Sequence, residues 1–242
     1  RQAEIDYAKV NNIPLTVTKK KVYSIDKNLW GISIECGALE NPWIEPPKDA
    51  YQMTLTPEDA PAKPTYIEID FEKGIPIKIN SQKYPLEDLI KKLNLIAGKN
   101  GVGRMDMVEN RLVGIKSREI YEAPAATCLY LAHRELEALC LDRELLHFKE
   151  VLSLKYAELV YYGLWYSPLK KAIDAFIKET QKNITGTVRL KLYKGSCVTA
   201  GRKSPYSLYK EELATYTEKD KFDQKLAEGF IRLWGMPYRR QK

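Results

Sequence analysis

Between Gly98 and Pro124 the chain reads GKNGVGRMDMVENRLVGIKSREIYEAP, and it changes structural state several times within a few residues. Turn-forming residues cluster at Gly98–Gly103 and again at Val113–Lys116. Between them Met105–Val108 alternates apolar and polar positions, which predicts a short strand. That strand runs straight into Glu109, Asn110 and Arg111, with no apolar residue to bury them. Ser117, Arg118, Glu119, Tyr121 and Glu122 add further polar groups before Pro124, which predicts the first turn of an apolar helix. Charged groups where a strand runs out are how a rigid scaffold offers them to a ligand. The same residues also suit a surface hairpin with an internal Glu–Arg pair.

The segments on either side predict an α+β chain. Thr65–Phe71 and Ile75–Ile79, joined by Glu72-Lys73-Gly74, alternate Ile with charged residues, as expected of a hairpin with one dry and one wet face. Gly186–Tyr193 and Ser196–Thr199 form a second such pair around Lys194-Gly195. Leu86–Ala97 has helical apolar spacing and a Gly98 stop. Pro124 to about Arg143, Leu145–Tyr162 and Pro168–Lys178 predict three successive helices, against which the hairpins pack. Near the start, Ala3–Asn11 reads as a helix end and Pro14–Thr18 as a strand. Tyr23–Asn28 reads as turn and cap chemistry, and Trp30–Cys36 as a weak strand carrying Ser33. Six prolines between Glu40 and Pro64 predict an irregular surface excursion. After a charged stretch, Phe222, Leu226, Phe230 and Leu233 recur at helical spacing, giving a terminal amphipathic helix that needs a place to dock.

Several function classes fall away on composition. A hydrophobic content of 44% is that of a globular chain, and no apolar run approaches the ~20 residues of a membrane span. A net charge of +7 raises the question of nucleic acid. The lysines are dispersed, however, with dense clusters only at Lys19-Lys20-Lys21 and Arg239-Arg240, and no nucleic-acid-binding motif accompanies them. Cys36, Cys128, Cys140 and Cys197 lack metal-ligand spacing and read as reduced, packed thiols of a cytoplasmic protein. His133 and Glu137 stand one turn apart, but without a second histidine nearby a hydrogen-bonded core histidine is expected. Gly98, Gly101 and Gly103 resemble a phosphate loop in composition alone, because a strand follows where such a loop needs a helix.

The stretch GVGRMDMVENRLVGIKSREIYEAPAATCLYLAHRELE closely resembles the synthetase-domain core of argininosuccinate synthase. The resemblance extends to TKKKVYSIDKNLWGISIECGALENPW, LKYAELVYYGLWYSP and GRKSPYSLY, and so covers essentially the whole chain. It implies an enzyme that condenses citrulline with aspartate at the expense of ATP, cleaved to AMP and pyrophosphate. It also implies a division into a synthetase domain, residues 1–215, and a linker with an oligomerisation helix, residues 216–242, in a homotetramer. The family's nucleotide-binding half, with its Ser-Gly-Gly loop, is expected to precede residue 1. ATP and its Mg²⁺ are then held mostly by that half.

By the same resemblance Ser24, Ser33, Glu109 and Tyr121 match the family's citrulline-binding positions, and no nucleophile or metal ligand is implied in this chain. The chemistry suits the roles: Glu109 can pair with an ammonium, while two hydroxyls and a phenol donate or accept. Where many relatives carry Tyr after the second serine, this chain has Ile34, expected to point away from Ser33. On residue type alone Ser24 also suits a helix cap, Ser33 a strand serine and Tyr121 a core tyrosine. Two other functions stay open: a non-catalytic oligomerisation scaffold, and a stand-alone amino-acid-binding module.

Overall fold

A computed structural model describes residues 2–14 and 23–239 of the chain. The strand expected at Pro14–Thr18 and the Lys19-Lys20-Lys21 cluster lie, apart from Pro14, outside the described residues, as does Arg240. After α1 (Gln2–Val10) come β1 (Ser24–Lys27), β2 (Ile32–Glu35), β3 (Thr65–Glu72), β4 (Ile75–Ile79), β5 (Gln82–Lys83), α2 (Leu86–Lys99), β6 (Arg104–Asn110) and β7 (Lys116–Glu122). A helical block follows, α3 (Pro124–Cys140), α4 (Arg143–Tyr161) and α5 (Pro168–Thr180). The chain closes with β8 (Gly186–Tyr193), β9 (Ser196–Lys203), α6 (Glu211–Ala214) and α7 (Leu226–Trp234). The fold is α+β, with two wholly antiparallel sheets.

The first sheet runs β5-β4-β3-β8-β9 and contains both hairpins read from the sequence. Its alternation puts Ile67, Ile69, Phe71, Val188, Leu190 and Leu192 on one buried face, against Leu89 and Leu93 of α2 and Cys128, Ala132 and Leu136 of α3. The wet face carries charge, with Arg189 paired to Glu68. α3 lies on β8 and β9, α2 lies on α3 and β4, and α4 packs on α5. The broad contact with the hairpins is thus made by α3 rather than by the whole Pro124–Lys178 block. His133 is the hydrogen-bonded residue expected, its Nε2 2.8 Å from Gln181 Oε1 and its ring edge-on to Phe71.

The second sheet, β1-β2-β7-β6, positions the polar groups. β2 pairs with β7 across a long sequence gap, Ile34 opposite Ile120 and Ser33 opposite Tyr121. One face is apolar: Ile32, Ile34 and Ile120 bury against Leu39 and Ala50, flanked by Tyr23, Ile25, Tyr51 and Met53. The proline-rich excursion supplies that cover, and Arg118 pins it by donating to the carbonyls of Asn41 at 2.8 Å and Ile44 at 2.9 Å. Tyr23–Asn28 departs from expectation. It is mostly strand, and the turn comes at Asn28, whose Oδ1 accepts from the amides of Trp30 and Gly31.

Two glycines set how the sheets meet. Gly98 does not stop α2, which runs on to Lys99. A Cβ there would collide with the Met53 carbonyl, so glycine serves close approach of the 53–55 segment. Gly103, at φ +104°, turns the chain into β6 so close to α3 that a Cβ would lie 2.5 Å from Pro124 N. The glycine cluster leads into a strand, as expected of turn chemistry.

Candidate functional site

Strand parity sorts the second sheet into two unlike faces. Cross-strand partners share a face, and residues two apart along a strand share it too. Ser24 stands opposite Glu35, Asp26 opposite Ser33, Ser33 opposite Tyr121, Tyr121 opposite Met105, Met107 opposite Glu119 and Glu109 opposite Ser117. All of these turn away from the Ile32/Ile34/Ile120 core. The four residues singled out by resemblance, Ser24, Ser33, Glu109 and Tyr121, therefore lie on one polar face contributed by all four strands. Ile34 is fully buried on the other face, pointing away from Ser33 as expected.

The strand carrying Glu109 is longer than its alternation suggests. β6 spans Arg104–Asn110, so Glu109 sits within the ladder rather than beyond its end. Its neighbours are set by that register. Tyr121 Oη hydrogen-bonds to Glu109 Oε1 and lies 2.8 Å from Glu119 Oε2. Just past β6, Arg111 reaches back over the face. It donates through Nε to Ser117 Oγ at 2.6 Å and through Nη2 to Glu35 Oε2 at 2.9 Å and to Glu119 Oε1. An unbroken chain of polar contacts thus runs Glu35–Arg111–Glu119–Tyr121–Glu109.

The electrostatics of this chain are uneven. Three carboxylates face one guanidinium, a formal excess of two negative charges. Glu119 is buried, and Glu119 and Glu35 share Arg111. The Glu119 carboxylate, then burial against it, sets the balance at Arg111 and holds its pKa above the ordinary arginine value. Among the described residues Glu109 has no direct ion pair, although the Arg111 charge acts on it; Arg118 is turned to the core face and paired with Asp106 through 2.6 Å and 2.9 Å contacts. Burial first, then the bonds to Glu109 and Glu119, push the Tyr121 phenol far above the usual tyrosine range, so it stays protonated. The Ser24 and Ser33 hydroxyls are half-buried and make no hydrogen bond among the described residues. Met105 and Met107, on β6 across β7 from Ser33, are exposed and give the face an apolar strip.

Glu35, Glu119 and the bridging role of Arg111 were not read from the sequence. Their signal is parity: Ser33/Glu35 and Ser117/Glu119/Tyr121 are polar at every second position. Ser24 is a strand residue, not a helix cap, and Tyr121 is half-buried at the site rather than a core tyrosine. Among the described residues no three His, Cys, Asp or Glu side chains converge as a metal-holding group, and no helix is long and apolar enough to cross a membrane.

Comparison with known proteins places these features in a family. Residues 23–241 match the arginosuccinate synthase C-terminal domain. Argininosuccinate synthase of Bacillus thuringiensis (strain Al Hakam) is 59% identical over 237 residues, covering 98% of this chain and 59% of that protein. The synthases of Pelodictyon phaeoclathratiforme (strain DSM 5477 / BU-1) and Chlorobium luteolum (strain DSM 273 / BCRC 81028 / 2530) are 59% and 56% identical over 236 residues, with the same coverage. The chain thus spans about three-fifths of the length of the relatives it matches. It belongs to the argininosuccinate synthase family, and corresponds to that family's C-terminal domain.

Proposed function

We propose that this chain supplies the citrulline-binding face of an argininosuccinate synthase, a ligase of arginine biosynthesis. In the reaction the citrulline ureido oxygen attacks the α-phosphorus of ATP, releasing pyrophosphate. The aspartate amine then displaces AMP from the citrullyl-adenylate. The observation that carries the reading is Glu109, a carboxylate with a phenol for a partner and no direct ion pair among the described residues. Citrulline brings an α-ammonium, and a charge-assisted bond of that kind is about twice as strong as a neutral one. The Ser24 and Ser33 hydroxyls are free to donate to the amino acid's carboxylate or its ureido tip, and Met105 and Met107 can line its methylenes. Holding citrulline in one orientation is itself catalytic, since alignment of reactants recovers roughly 7–11 kcal/mol of barrier.

ATP, its Mg²⁺ and aspartate fall to a nucleotide-binding portion outside these 242 residues, and no step on them is assigned to this chain. With that portion the chain assembles as a cytoplasmic homotetramer. Ser24→Ala and Ser33→Ala in the full-length enzyme should each raise the citrulline KM while leaving the ATP KM unchanged. Equal effects on both would argue for a structural role. The purified 242-residue chain should make no argininosuccinate from citrulline, aspartate and MgATP, because its glycine cluster leads into β6 rather than into a phosphate-binding helix. Turnover by it would contradict the division of labour.

A further inference from the structure

We propose that Glu119 is a positioning residue that lets Tyr121 change from a donor on Glu109 into an acceptor for the ligand's ammonium. This rests on the citrulline reading of the same face. The observation is a mismatch in protons: the Tyr121 oxygen is within hydrogen-bond reach of both Glu109 and Glu119, yet a phenol donates one hydrogen. It serves one carboxylate at a time.

The two carboxylates are not equivalent. Glu119 already has a cation, the Arg111 guanidinium, which is held in turn by Ser117 and Glu35. Glu109 makes no direct ion pair among the described residues and feels Arg111 only through space, less strongly than Glu119 and Glu35 do, so in the free site the phenol hydrogen is drawn to Glu109. An ammonium arriving at Glu109 reverses the preference. It compensates that carboxylate through one N–H and has further N–H groups that need acceptors. The phenol hydrogen then rotates about its C–O bond onto Glu119, and the Tyr121 oxygen turns a lone pair toward the ammonium. No covalent bond is made or broken. Without Glu119 the hydrogen has no second acceptor, stays on Glu109, and competes with the ligand. Glu119 touches no ligand in this scheme and acts through Tyr121.

A double-mutant cycle in the full-length enzyme tests it, reading citrulline KM, kcat, ATP KM and melting temperature. E119A is expected to raise the citrulline KM about tenfold, the size of one lost hydrogen bond to a charged group, with the ATP KM unchanged. In a Y121F background the same E119A change is expected to alter the citrulline KM less than about twofold, because the rotor it serves is gone. Equal losses in both backgrounds would overturn the proposal, since they would mean that Glu119 acts independently, for instance by restraining Arg111. Should E119A fail to fold, E119L, which fills the space and likewise offers no acceptor, takes its place in the cycle with the same criterion. If Y121F and E109Q both leave the citrulline KM unmoved, the citrulline reading itself fails. If they raise it and the cycle is additive, only the role of Glu119 fails.

Discussion

Arg104 and Glu122 stand opposite each other across the β6–β7 hairpin, and both close on Thr54. Arg104 donates to Thr54 Oγ1 at 2.7 Å and to its carbonyl at 2.9 Å, while its guanidinium lies 3.6 Å from the centre of the Tyr51 ring. The fully buried Glu122 carboxylate accepts from the amides of Gln52, Met53 and Thr54 and from Thr54 Oγ1 at 2.6 Å. Tyr121 precedes Glu122, so this clamp fixes the end of the strand from which the phenol projects.

Glu122→Gln should therefore destabilise the fold. An amide offers one acceptor oxygen where the carboxylate offers two, and it aims an NH₂ at backbone N–H groups. The cost is about 2–3 kcal/mol, read as a lower denaturation midpoint with an unchanged slope. A midpoint equal to wild type would show that the 52–54 segment is held by other contacts.

The cysteines give a prediction about ionisation. Cys128 Sγ lies 3.9 Å from Cys197 Sγ. The contact with Cys197 and burial push the Cys128 thiol well above its ordinary value, while the contact with Cys128 lowers Cys197. Less thiolate at a given pH means slower alkylation. At pH 8, iodoacetamide should modify Cys197 faster than Cys128 by on the order of tenfold or more, followed by peptide mass mapping. Equal rates would contradict the assignment.

The tail should serve assembly. In α7 the side chains of Leu226, Phe230, Ile231, Leu233 and Trp234 are all exposed, with Phe230 and Trp234 stacked on each other. Removing Phe222–Lys242 should lower the oligomeric mass by light scattering more than it lowers helical content by circular dichroism. An unchanged mass would mean that the tail contributes nothing to assembly.

Much of the fold was legible because its burial is one-sided. The β3–β4 and β8–β9 hairpins show period two because one face packs on α2 and α3 and the other meets water. β1 escaped because Ser24 and Asp26 lie on the polar face of a short outer strand, where turn-forming residues outweigh one half-buried isoleucine. β6 was read short because its residues are mostly exposed on both faces, which leaves little alternation to extend. α2 passes Gly98 because tertiary contact with Met53, not helix termination, requires the glycine. The pairing of β2 with β7 leaves no trace in local periodicity, and Glu35 reaches the site only through it. Resemblance carried Ser24, Ser33, Glu109 and Tyr121; spacing alone did not bring them together.

One mutant tests whether Glu109 receives the citrulline ammonium. In the full-length enzyme Glu109→Gln should weaken citrulline binding about ten- to a hundredfold, the equivalent of roughly 1.5–3 kcal/mol, with ATP affinity and melting temperature nearly unchanged. A lower melting temperature with an unaltered citrulline dissociation constant, both measured on the same preparation, would show instead that Glu109 only braces the hairpin through Tyr121.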